Sequence, residues 1–250
     1  EAVSQQPPQL RTFASDRFNV RYERKSGHCD TRRLPAYKGL MNEALQPTVT
    51  MRLKDAIEVL YHEFAAPVPT VIEGCPCCIE TRGVDVLLTT PLRQLTGKQL
   101  WRYITGVFLT VGGERDFRYL IPRIFEISAC DVLGEVPDPE IVLGKLKLAN
   151  WQSWSISERQ AIEEFIDAWF EHKLAGDLRK EDEDWVNCEV DRILCGASRS
   201  EIPITRWLKR LQSPFAAPVL NELKILHADG PPPFWEDAPE GLNELAVILK

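Results

Sequence analysis

Three thiols stand within four residues in the run Glu73-Gly74-Cys75-Pro76-Cys77-Cys78. Cysteine at that density could hold a metal, cycle between thiol and disulfide, or fill a turn. Thiolates favour zinc, and the Cys75–Cys77 and Cys75–Cys78 spacings both suit a tight turn around one ion. A tetrahedral site takes four ligands, and no second cysteine pair with zinc-finger spacing follows. The fourth would come from His62 on the preceding helix, or from Cys130, Cys188 or Cys195 across the fold. Cys75, Cys77, Cys78 and His62 are therefore the candidate metal ligands, and zinc is the candidate cofactor. In the structural alternative, Gly74 and Pro76 shape the turn and the cysteines pack beneath it as small apolar groups.

The redox alternative rests on Cys75-Pro76-Cys77-Cys78, which resembles the Cys-Pro-x-Cys active site of glutaredoxins and implies a first thiol activated at a helix N-terminus. A thioredoxin-like fold would surround that motif with strands, whereas the text downstream reads as helix. No complete catalytic signature accompanies the thiols. His62-Glu63 lacks the second histidine of a zincin, Gly97-Lys98 and Gly144-Lys145 lack the earlier glycine of a phosphate loop, and no Gly-x-Ser-x-Gly elbow occurs. The acidic row Glu163, Glu164, Asp167 and Glu171 has no Glu-x-x-His partner of the di-iron kind. It lies opposite an apolar stripe and is expected to be a solvated face. Cys188 and Cys195 share a helix face and are expected to pack.

The elements that would position these groups are helices. Leu53, Ile57, Leu60 and Phe64 fall at helical spacing, which predicts an amphipathic helix over 51–65, ended by Pro67 and Pro69. A short helix is predicted over 84–89. Thr96 caps the next, whose Leu100, Trp101, Ile104, Val107, Phe108 and Val111 are expected inward as far as Gly112-Gly113. Residues 114–129 repeat the pattern with Pro122 expected to kink or split it. Pro137-Asp138-Pro139 opens a helix to about Ala149, and Ser155 with Glu158 has capping-box spacing ahead of Ile162, Phe165, Ile166 and Trp169. Further helices are predicted over 182–197, after Ser200, over 218–227 and from Gly241. Strand signals are weak throughout. The fold class is all-α, about nine amphipathic helices packed as antiparallel pairs in an irregular bundle or an α-α superhelix. Trp101, Trp169 and Trp207 are expected in the core, and Trp151, Trp154 and Trp235 lie in turns, either plugging gaps or forming a contact patch.

Residues 1–50 read differently, as a disordered basic extension without sustained periodicity, and residues 51–250 as one helical domain. The only methionines are Met41 and Met51, so the extension is expected to lie upstream of the true start and the domain to be truncated in its last helix. The first fifty residues hold eight of the 30 Lys and Arg and five of the 37 Asp and Glu, a net of +3 that leaves −10 for the rest. An acidic body disfavours a nucleic-acid partner. With 44% hydrophobic and 27% charged residues the composition is that of an ordinary globular protein. No apolar span or leader points to a membrane or to export, so the expected compartment is the cytoplasm.

The segments Phe64 to Cys78, Thr90-Pro91-Leu92-Arg93, Asp116-Phe117-Arg118-Tyr119-Leu120, Val142-Leu143-Gly144-Lys145-Leu146 and Trp151-x-x-Trp154 together resemble a group of uncharacterised bacterial proteins. The resemblance covers most of residues 51–250 and implies a bacterial origin and a helical domain, with no assigned activity. The expected function is that of a non-enzymatic helical interaction or scaffold protein with a protein partner. The alternative is a thiol- or zinc-dependent enzyme centred on Cys75, Cys77 and Cys78.

Overall fold

The computed structural model describes residues 39–76, 83–130, 135–179 and 188–250, with side chains from residue 49 onward. Among the described residues the α-helices are α1 (Gly39–Glu63), α2 (Asp85–Thr89), α3 (Gly97–Gly106), α4 (Glu114–Cys130), α5 (Pro139–Leu148), α6 (Ile156–Asp177), α7 (Glu189–Arg199), α8 (Thr205–Leu211), α9 (Ala217–Leu226) and α10 (Pro239–Leu249). Among the described residues there is no strand, only two isolated bridges, Gly74 with Val111 and Val107 with Val111. The fold is all-α. Among the same residues no helix is long and apolar enough to cross a membrane.

Local sequence accounts for most helix ends. Both predicted capping boxes form: the Thr96 hydroxyl accepts from the Gln99 amide while Gln99 reaches back to Thr96, and Ser155 and Glu158 do the same at α6. Pro139 opens α5 from its first turn, where its missing amide hydrogen costs nothing. Pro122 does not split α4, which runs unbroken through it with the proline buried.

Other boundaries move. α1 begins at Gly39 rather than at Met51, so helix replaces the last part of the expected irregular extension; residues 1–38 lie outside the described residues. α3 stops at Gly106, short of Gly112, because the chain turns there. The amides of Leu109 and Thr110 return to the Gly106 carbonyl, and Phe108 takes φ 64°. The Lys145 ammonium, buried on α5, donates to the Thr105 and Val107 carbonyls and fixes that end. α7 is seen from Glu189, and residues 182–187 of its expected first turns lie outside the described residues. Ser200 does not cap α8, whose N-cap is Ile204; it is the C-cap of α7, and its hydroxyl donates to the Leu143 and Gly196 carbonyls.

Packing does not follow sequence order. The main helix pairs are α1 with α6, α5 with α7 and α6 with α7. The predicted stripe of α1 is buried, as are Ile162, Phe165, Ile166, Trp169 and Phe170 of α6. Phe125 stacks on Phe165, which leans on Trp169, and Phe64 and Phe117 both contact Trp154. α5 and α7 cross at Gly196, where a Cβ would stand 2.8 Å from the Pro139 carbonyl oxygen, so only a glycine admits that approach.

Of the acidic row of α6 only Glu164 is exposed as expected; the other three acids meet α8. Asp167 accepts the Trp207 indole hydrogen at 2.8 Å and pairs with Arg206, while Glu171 pairs with Arg210 and Glu163 with Arg206. Glu163, Asp167 and Glu171 are the dock for α8, whose Arg206 and Arg210 turn toward them.

Candidate functional site

The thiol turn is held by backbone. The Gly112 amide donates to the Glu73 carbonyl at 2.6 Å and the Cys75 amide to the Thr110 carbonyl at 2.9 Å, clamping residues 73–75 to the turn that ends α3. A Cβ at Gly74 would meet the Thr110 oxygen at 2.8 Å, so the glycine is required by close approach. Cys75 is exposed. Cys77 and Cys78 lie outside the described residues. His62 sits in the last turn of α1 with 85% of its side chain exposed and its Nδ1 2.9 Å from Glu63. Among the described residues no three His, Cys, Asp or Glu side chains are grouped to hold a metal ion. Cys188 and Cys195 are buried, and burial pushes both thiols up; the Cys188 thiol lies 3.8 Å from the Asp177 carboxylate, away from the thiol turn in sequence.

A second arrangement surrounds Trp101, which is 42% exposed and not in the core as expected. Leu100, Tyr103 and Ile104 bury the inner face of α3, which leaves Lys98, Trp101 and Arg102 on the outer one. They line an open cleft of about 270 Å³ with Glu135. Glu135 lies directly on the helix, since a Cβ at Gly97 would meet its backbone oxygen at 3.0 Å. On the turn beyond α3, Leu109 is 68% exposed, and Val71 is exposed on the segment leading to the thiol turn. The three turn tryptophans, Trp151, Trp154 and Trp235, are all buried, which removes them from any contact surface. A sequence signal for Trp101 exists: it falls between Lys98 and Arg102, three residues before and one after, which places it at the charged edge of the stripe.

A third arrangement is a buried polar seam between α5, α7 and the C-terminal residues. The Asp191 carboxylate accepts from His227 Nε2 at 2.8 Å and from the Trp235 indole at 3.2 Å. Arg199 donates to the Glu140 carbonyl at 2.8 Å and to Asp237 at 3.1 Å. Glu140 is itself buried, and its Oε2 has no hydrogen-bond partner. Burial pushes its carboxyl up to about 7; a hydrogen bond from its own amide and the charge of Arg192 oppose that, and Asp138 and Asp191 add to it. Sequence reasoning missed these residues because none forms a motif.

Comparison with protein-family models, with curated proteins and with solved structures finds no match to this chain. The class the described structure defines is an all-α protein.

Proposed function

We propose that the chain is a non-enzymatic helical interaction or scaffold protein that grips a protein partner through the outer face of α3. The observation that carries this reading is Trp101, an exposed tryptophan beside an open cleft with Lys98 and Arg102 at its edges. Tryptophan and arginine are among the residues that most often dominate interface energies, tryptophan by burying a large rigid ring and arginine by its planar set of hydrogen-bond donors. The formal charge of −7 supports a protein partner over a nucleic acid. The test uses the full chain and a Trp101→Ala variant as paired baits, with Val247→Ala as a control at another exposed apolar site. A partner identified by mass spectrometry and then titrated in purified form should bind Trp101→Ala at least about ten-fold more weakly and Val247→Ala normally. Partner affinity equal in all three proteins would refute the reading.

A second reading keeps the thiol turn functional, and the exposure of Cys75 supports it, since a working thiol must be reachable. In that reading Cys75, Cys77, Cys78 and His62 hold zinc, or the thiols act directly. Native mass spectrometry with metal analysis, under reducing and chelator-free conditions, decides between them. One zinc per chain, lost in Cys75→Ser, would establish the metal site; a metal-free protein with unreactive thiols would leave the turn as architecture.

A further inference from the structure

Both walls of the cleft at Trp101 are anchored in the core. On one side α3 buries Leu100, Tyr103 and Ile104, and its capping box fixes the first turn. On the other, Glu135 is followed by buried Val136 and Pro137. Gly97 draws the walls together, since a Cβ there would stand 2.8 Å from the Glu135 Cβ. The space between them is about 270 Å³ and open to solvent. Pockets for drug-sized ligands run from about 300 to 1,000 Å³, so this one suits a single side chain of a larger partner. No acidic residue lies on α3, whose exposed charges are Lys98 and Arg102. Four residues apart, they stand about 6 Å from each other along the helix axis, with Trp101 between them. Glu135 is the only acid among the lining residues.

We propose that the occupant of this cleft is an acidic peptide segment of the partner: an aromatic or aliphatic side chain packs on the Trp101 ring, and neighbouring carboxylates meet Lys98 and Arg102. This rests on the reading of α3 as the partner face and names the chemistry of what that face grips.

Charge selects among the partners that a tryptophan would accept. An apolar side chain gains by burial on the ring whatever its neighbours are. Carboxylates beside it are attracted to the α3 rim, and cations there are repelled. Glu135 repels acids from the opposite wall, which orients the segment with its carboxylates toward α3. A single-stranded nucleic acid would also stack a base on tryptophan. Its backbone needs a basic groove to follow, whereas these cations face Glu135 in a chain of formal charge −7. A second copy docked through the same face would set Lys98 and Arg102 of one α3 against those of the other.

An amide and indole ¹H–¹⁵N titration of the full chain tests the assignment, with the Trp101 indole identified through Trp101→Phe. The probe is a short synthetic peptide with one phenylalanine flanked by glutamates; matched peptides carry glutamine or lysine in place of the glutamates. The acidic peptide should shift the Trp101 indole and the Lys98 and Arg102 amides saturably, and bind at least about ten-fold more tightly than the glutamine peptide. Added salt should weaken it. Lys98→Glu combined with Arg102→Glu should reverse the preference toward the lysine peptide, and the comparison of peptides on the wild-type chain needs no variant. No saturable shift at about 1 mM acidic peptide, equal affinity for all the peptides, or tighter binding of a thymidine oligonucleotide would overturn the proposal. Shifts at Trp101 that grow with the concentration of the chain alone would place a second copy in the cleft and also overturn it. A purified partner weakened by Trp101→Ala but bound normally by the charge-reversed chain would overturn the acidic assignment and leave α3 as the partner face. A partner indifferent to Trp101→Ala would overturn that face itself.

Discussion

At Gly196 a methyl group would stand 2.8 Å from the Pro139 carbonyl oxygen and 2.9 Å from Leu143 Cδ1. Helix propensity alone favours alanine there by about 1 kcal/mol. Overlap with a backbone atom that cannot move costs about 1–3 kcal/mol, so the overlap should prevail. Gly196→Ala is expected to lower stability by about 1–2 kcal/mol in urea unfolding. At Glu140 the effect depends on pH. Its folded value lies above the ordinary 4.5, so its contribution to stability is complete below pH 4.5 and is lost as pH rises to about 7. Glu140→Gln should match the wild type near pH 4 and exceed it at pH 8 by up to about 3 kcal/mol. Unfolding curves across that range would refute this if the two proteins kept parallel pH profiles.

Among the elements, α8 shows how a charged surface becomes a packing surface. Its inner side buries Trp207, Leu208 and Leu211, and its arginines meet the acids of α6. Asp167 is the central acid because it serves both the Trp207 indole and Arg206. Asp167→Ala would leave a half-buried indole hydrogen without its acceptor and should cost about 1–2 kcal/mol. Glu163 makes only a long, exposed pair with Arg206, and Glu163→Ala should cost less than about 0.5 kcal/mol. A single set of denaturation midpoints separates the two; equal losses would mean that α8 is held by bulk charge and not by the indole bond. At the start of α6 the Ser155–Glu158 box is extended by Arg118, which reaches Glu158 from α4. Ser155→Ala should cost about 1 kcal/mol.

For the molecule as a whole, the tryptophans divide into core and surface. Trp169 is fully buried against Phe165, whereas Trp101 faces solvent. Trp169→Ala should therefore cost about 3–5 kcal/mol, and Trp101→Ala, whose ring is partly covered, should cost less, about 1–2 kcal/mol. The contrast matters for the partner test, since a binding defect in Trp101→Ala is informative only in a protein that remains folded. Thermal melts of the two variants provide the check.

Helix identity, the two capping boxes, the Pro139 start and the inward stripes of α1 and α6 were determined by the sequence itself, because each depends on residues three or four apart along the chain. The fold class follows from those local signals. Tertiary structure alone decided what the outer faces meet. The acidic row looks solvated until α8 is laid across it, and Trp101 reads as core until α3 is oriented by its neighbours. α3 ends at Gly106 because the Lys145 ammonium and residues 73–75 take over the backbone groups that a longer helix would have used. The Glu140–Asp191–His227 seam joins residues from three parts of the chain, so periodicity carries no trace of it. Local spacing encodes which side of a helix is apolar; whether the other side faces water or a distant helix depends on contacts between residues far apart in sequence.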